Sequence, residues 1–411
     1  MISNEKLQKF AELTVKIGAN MQVGQEVAIR TDIATADFAR LVAECAYHNG
    51  AKKVTMYWRD EKTDRINMLN SSTEALCDIP AWEKASQDEM VNRKMAIISI
   101  FAGDPNNFNG CDSDKVNTVS HAQRLVKENF LSHTMNNYLR WTLVSVPTVA
   151  WSKMVFPESK TDAEAIDKMW DALAHVMRLN ESDPVVAWEK HIDNLHRRAD
   201  ILNKHNFEYL HLTNSIGTDL VVGLATNHIW LAAEEEGQDG IKFTANMPTE
   251  EIFTAPHKYK VNGIVHNALP LVNNGNVIDD FTLTFKDGRV VDYTAKVGLN
   301  ALKGIVETDE GSHYIGEMAL IGKHSPIAES GILFYNTLFD ENASCHIALG
   351  KAYPTTVAHG NDLTPAQLDI AGLNTSMEHC DFMIGTKDFS VVGIGYDGKE
   401  TVLFVDGEWV I

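Results

Sequence analysis

Met377-Glu378-His379-Cys380-Asp381-Phe382-Met383-Ile384-Gly385 sets two metal-competent side chains ahead of a short apolar run that stops at a glycine. Residues i and i+2 of a strand point to the same face. An extended segment therefore sends His379 and Asp381 one way and Cys380 the other. Taken alone, the H-x-D tripeptide is common and reads equally as a polar strand edge facing water. Its meaning depends on what else the C-terminal half supplies.

Three further blocks supply it. In Ser344-Cys345-His346-Ile347-Ala348-Leu349-Gly350, His346 opens a run that reads as a buried strand. Glu341 lies five residues upstream in Asp340-Glu341-Asn342, a polar cluster that reads as a turn. An odd separation cannot share a face of one regular strand, so both reach one ion only if a turn or bulge intervenes. Glu317 leads into Met318-Ala319-Leu320-Ile321-Gly322. A carboxylate there costs several kcal/mol unless it is paired or metal-bound. Glu251 follows Glu250 in Pro248-Thr249-Glu250-Glu251-Ile252-Phe253, and in an extended segment only one of the two faces a given side. Four carboxylates and two imidazoles form a borderline-to-hard donor set suited to two divalent cations.

These blocks resemble the M29 family of metallo-aminopeptidases. The resemblance runs through Asn246-Met247-Pro248-Thr249-Glu250-Glu251-Ile252-Phe253-Thr254-Ala255-Pro256, Gly316-Glu317-Met318-Ala319-Leu320, the stretch 336–346 and His379-Cys380-Asp381-Phe382-Met383-Ile384-Gly385. The Asn274-Gly275-Asn276 and Phe285-Lys286-Asp287-Gly288 turns fit it too, and the order and spacing hold over about 140 residues. Carried over position by position, the resemblance implies metal ligands at Glu251, Glu317, Glu341, His346, His379 and Asp381, and an active-site tyrosine at Tyr353. The first 200 or so residues match more loosely, in segments such as 151–157.

The 411 residues exceed what one core usually serves and suggest two domains. Lys plus Arg number 36 against 56 Asp plus Glu, a net charge of −20 that disfavours nucleic acid and anionic membranes as partners. No apolar run of 18 residues and no secretory leader is visible, which with five scattered cysteines points to a reducing cytoplasm. Cys345 and Cys380 neighbour candidate ligands, yet strand alternation turns both away.

The texture changes near residue 206. Before it, strands at about 26–30, 53–58, 95–101 and 141–146 alternate with helices at about 4–19, 34–48, 114–138, 162–179 and 185–204. That alternation predicts an α/β domain, 1–205, with a parallel doubly wound sheet. No G-x-G-x-x-G or Walker loop accompanies it, so a nucleotide is not expected. After it, short strands separated by Asn274-Gly275, Asp287-Gly288, Asp397-Gly398 and Asp406-Gly407 predict hairpins. The second domain, 206–411, is thus expected to be a mostly antiparallel α+β catalytic domain. Glu234-Glu235-Glu236 reads as a solvated loop, His257, His266, His313 and His324 as surface or supporting histidines, and Trp151 and Phe156 as candidates to line a substrate passage or pack.

The functional expectation is a peptide hydrolase that removes N-terminal residues using two cations (Zn, Co, Mn or Mg), with a shared water deprotonated near neutral pH and Glu317 or Asp381 as the bridge. Tyr353 would hydrogen-bond the oxyanion. Alternatives are a dinuclear phosphoesterase, which the thin supply of basic residues (Lys258, Lys260, Lys323) disfavours, and a non-catalytic peptide-binding protein stapled by metal. The resemblance also implies a homodimer whose active sites share an internal chamber.

Overall fold

Glu26–Asp32, Lys53–Arg59, Ala96–Phe101 and Trp141–Ser145 are the β1 to β4 of a four-stranded parallel sheet in the order β2-β1-β3-β4. β1 and β3 are buried along most of their length, as parallel strands covered by helices must be. The helices Ala36–His48 and Ser113–Met135 supply crossovers of the expected kind. The computed structural model describes residues 2–273 and 276–411. The turn expected at Asn274-Gly275 lies outside the described residues.

The chain divides into two units, Met1–Ile192 with Glu234–Thr249, and Asp193–Ala233 with Glu250–Ile411. In the first, the segment 234–249 runs back along β4. Leu143 N donates to Ala245 O at 2.7 Å, and Met247 N donates to Leu143 O at 3.0 Å. Glu235–Glu236 there pairs with Lys242–Phe243 as a small hairpin, not the solvated loop read from three consecutive glutamates. Trp151 is wholly buried in the short helix Val149–Val155, so it packs and lines no passage. Between β2 and β3 the chain forms three helices, Glu61–Asn70, Thr73–Cys77 and Ala81–Asn92, which the sequence reading left blank. Their apolar faces are thin: the first buries only Met68, and the second buries none. Side-chain caps from Asp60 and Ser72 mark their starts instead.

The second unit is built on antiparallel sheets. The larger sheet has the path 271–273, Asn276–Lys286, Pro256–His266, Asp219–Leu224, Phe207–Thr213, Ser390–Gly395, Glu400–Val405, Glu408–Trp409, with Arg289–Val297 paired to Asn276–Lys286. Asp287-Gly288 and Asp406-Gly407 join neighbouring strands with positive φ at both residues (49° and 84°, 49° and 72°), the twist-matched hairpin geometry. The smaller sheet has five strands in the order His379–Met383, His346–Gly350, Ile315–Leu320, Ile252–Thr254, Leu231–Ala232. No helix of the described residues is long and apolar enough to cross a membrane.

Candidate metal centre

Register decides what this five-stranded sheet presents. Glu317 and Asp381 both lie opposite Ala348, on the strands flanking His346–Gly350. His346 lies opposite Ala319, which also faces Phe253. Directly opposed residues share a face, and so do residues two apart. One face therefore carries Glu251, Phe253, Glu317, His346, His379 and Asp381. Between them stand only the methyl groups of Ala319 and Ala348, which leave room above the sheet.

The side chains converge. Glu251 Oε2 lies 3.1 Å from His346 Nε2. Glu317 Oε1 lies 3.6 Å from His346 Nε2, and its other oxygen lies 3.7 Å from His379 Nε2. Asp381 Oδ2 is 3.5 Å from the same His379 nitrogen. Two donor groups result, Glu251–Glu317–His346 and Glu317–His379–Asp381, with Glu317 common to both. Of the adjacent glutamates, Glu251 is the one whose carboxylate meets His346. Glu341 lies outside both groups. Its carboxylate is buried against Asn342 Nδ2 at 3.4 Å and lies within electrostatic reach of Asp381, Glu251, His346 and Glu317.

Both imidazoles are oriented by backbone carbonyls. His346 Nδ1 meets Glu341 O at 2.9 Å, and His379 Nδ1 meets Lys351 O at 2.7 Å. A carbonyl only accepts, so each Nδ1 carries a proton and each Nε2 faces the carboxylates, donating to them while protonated and offering a lone pair to a cation once that proton is lost. That is the usual supporting arrangement of a metal-binding histidine. The 3₁₀ turn Glu341–Ala343 is the interruption that lets Glu341 and His346 approach despite their odd spacing. Asp340, almost fully buried, fastens the preceding loop by accepting Phe334 N at 2.7 Å and Asn336 N at 2.9 Å.

Four carboxylates against two imidazoles leave this pocket with excess negative charge. Burial, with the neighbouring Asp381 and Glu251 charges, outweighs the hydrogen bond from His346 and raises the Glu317 carboxyl to about 7. Glu341 is pushed well above the carboxylate range, first by burial and then by Asp381 and Glu251. Burial would lower His346, but its bonds to Glu251 and Glu317 prevail and raise it well above the ordinary histidine value. His379 also rises, its burial outweighed by Asp381 and Glu317. Such a cluster holds protons that a divalent cation would displace.

A cation fits by the chemistry of the donors and by an orphan atom. Asp381 Oδ1 is buried and has no hydrogen-bond partner among the described residues, although a carboxylate oxygen left so costs free energy. Ligands about 2.0–2.2 Å from one ion lie roughly 3.3–3.6 Å from each other in a tetrahedral arrangement, close to the separations here. The thiols stand aside: Cys345 Sγ lies 3.3 Å from Ile321 N, and burial pushes it up to about 12. Cys380 is buried, with Asn273 Nδ2 at 3.4 Å. Tyr353 packs edge-on against His379 (ring centroids 5.2 Å apart) and against Phe253 at 6.1 Å, so its ring borders the Asp381 side of the cluster. His257, His266, His313 and His324 belong to neither donor group. A cavity of about 960 Å³ elsewhere in this unit is lined by Cys345 but by none of the candidate ligands.

Sequence reasoning missed the groups that support the candidate ligands: Asn342 beside Glu341 and the Lys351 carbonyl at His379, with Asp340 fastening the loop before them. The only signal was the polar run 340–342, which reads as a turn and conceals that all three side chains are buried.

An antiparallel sheet presenting carboxylates and imidazoles from four separate strands or turns defines a metal-centre protein of the hydrolase kind. The model of the thermophilic metalloproteases (M29) matches residues 3–409, and the chain belongs to that family. It is 41% identical to Aminopeptidase 2 of Geobacillus stearothermophilus, covering 98% of both chains. It is also 41% identical to Aminopeptidase AmpS of Bacillus subtilis, over 99% of this chain and 98% of that one. The structure of wild-type AmpT from Thermus thermophilus superposes with a TM-score of 0.91 at 34% identity, covering 99% of each chain.

Proposed function

We propose that the protein is a metal-dependent aminopeptidase that releases N-terminal residues from peptides with two divalent cations. The observation that carries the two-cation reading is the division of Glu317, one oxygen toward His346 and the other toward His379. A carboxylate can serve two ions in this way, whereas each imidazole has one nitrogen to offer. Glu251, Glu317 and His346 would hold one ion, with Glu341 behind them. Glu317, His379 and Asp381 would hold the other. When bound, such cations acidify water from about 15.7 toward about 7 and polarise a carbonyl oxygen. An open position could also take a free α-amine, which would restrict action to chain ends.

The chain's own residues do the rest. The Glu341 and Lys351 carbonyls keep both imidazoles in the Nε2-exposed tautomer. The Tyr353 phenol, beside His379, donates to the oxygen on which negative charge develops. Phe253 and Tyr353 form an apolar edge that limits water. A phosphoesterase would want basic residues at the centre. Lys258 and Lys260 are instead paired with Asp369 and Glu208, and Lys323 Nζ is bound to Asp406 O.

The test sets aminoacyl-p-nitroanilides, their N-acetylated forms and p-nitrophenyl phosphate side by side, with and without chelator. Only the free-amine anilides should be hydrolysed, and chelation should abolish that activity until Zn, Co or Mn is restored. Turnover of the phosphate ester, or of blocked anilides at equal rate, would overturn the assignment. The same reading includes a homodimer, and light scattering that returned the mass of one chain would remove that part of it.

A further inference from the structure

Asn342 is completely buried, and its side-chain amide uses both its donor and its acceptor side. Its Oδ1 accepts the Glu250 backbone N–H at 2.7 Å. Its Nδ2 donates to Leu338 O at 3.0 Å and to Glu341 Oε1 at 3.4 Å. Its own carbonyl is held by Ser325 Oγ at 3.1 Å. The residues next to these contacts are candidate ligands. Glu251 follows Glu250 and meets His346 Nε2 at 3.1 Å, while His346 Nδ1 returns to the Glu341 carbonyl at 2.9 Å. The contacts close a ring: Glu250, Asn342, Glu341, His346, Glu251.

We propose that Asn342 is a positioning residue that presets the Glu251–His346 side of the metal centre before a cation arrives. This rests on the functional reading above. An amide suits the task because one end must accept from a peptide N–H while the other donates to a carboxylate. Aspartate keeps the acceptor, loses the donor and sets a second negative charge against Glu341. Serine is too short to span both. Buried polar groups left half-satisfied are costly, so aspartate frees and repels Glu341 while keeping the Glu250 bond, and serine releases both ends of the anchor. The donor group around His379 and Asp381 takes nothing from Asn342 and is expected to be unaffected.

The experiment measures Zn(II) and Co(II) binding to full-length wild type, Asn342→Asp and Asn342→Ser by titration calorimetry, alongside thermal unfolding in chelator. Supporting groups of this kind typically change metal affinity by about 10–100-fold. The expected result is one binding step weakened by about that factor and the other unchanged. Variants that melt earlier but bind both ions with wild-type affinity would show a purely structural role and overturn the proposal. Wild-type protein that bound no cation would overturn the functional reading itself, and the proposal with it.

A second measurement needs no variant. Hydrogen exchange at the Glu250 amide should be slow in wild-type protein both loaded and chelated, because Asn342 is the partner of that amide. Exchange at an unprotected loop rate once metal is stripped would mean that the cation organises the segment, and would overturn the proposal.

Discussion

Glu317→Gln should change the sign of its effect with metal. The substitution keeps shape and hydrogen-bonding capacity while removing one charge from a buried cluster of four carboxylates and two imidazoles. Two effects compete in the metal-free protein: the lost attraction to His346 and His379, and the relief of burying a charge beside Asp381 and Glu251. The raised Glu317 pKa, about 7 against an ordinary 4.5, shows that relief wins, because the surroundings favour the neutral form. The folded state therefore keeps this proton over a pH range in which the unfolded chain has lost it. Stability falls as pH rises from about 4.5 to about 7, and the cost is fully present above that. At 1.36 kcal/mol per unit, the ceiling is about 3 kcal/mol, a limit rather than a mean because His346 titrates with it. At pH 8 in chelator, Glu317→Gln should melt several degrees above wild type. With saturating Zn(II) the order should reverse, since the amide would be a poor ligand at both of the proposed ion positions. Activity should fall by about 10³ or more, several kcal/mol at about 1.36 per tenfold. Scanning fluorimetry and metal analysis on the same samples decide it. A mutant less stable than wild type in chelator would refute the excess-charge argument, and one that kept two ions and full turnover would remove Glu317 from the centre.

Tyr353→Phe should lower kcat by about 10²–10³ with KM and metal content little changed, the pattern of an oxyanion donor, and an unchanged kcat would dismiss that role. Asp388, held down to about 2 by Ser215 and Thr386, contributes stability that is whole above about 4 and lost as pH falls toward 2. Denaturation of wild type and Asp388→Asn should therefore differ at pH 6 and converge near pH 2, and a constant gap would refute it. Gly288→Ala should destabilise the second unit by at least about 1–2 kcal/mol: φ is +84° and an added Cβ would lie 1.6 Å from Lys258 O. Urea unfolding that shows no loss would contradict the turn geometry.

Local sequence was enough wherever a residue's fate depends on its neighbours in the chain. The H-x-D alternation at His379 and Asp381 follows from the pleat. The Asp287-Gly288 and Asp406-Gly407 hairpins follow from the positive φ that these residues tolerate. The parallel sheet followed from strands and helices alternating at crossover length. Glu317, His346, His379 and Asp381 stood out as metal-competent side chains leading into apolar strands, whereas Glu251 and Glu341 were assigned through the family resemblance. The helices between Glu61 and Asn92 escaped notice because their apolar periodicity is weak, and the first two are marked at their starts only by the caps from Asp60 and Ser72. Only the tertiary structure could pair Glu317 and Asp381 across Ala348, choose Glu251 over Glu250 at His346, and bring the segment 234–249 back to β4. Asn342 shows why. Its chemistry is that of any turn asparagine until the fold carries Glu250, 92 positions away, onto its carbonyl oxygen. Backbone preference is a property of a few adjacent residues, whereas register, burial and hydrogen-bond partnership across strands exist only once distant segments have met.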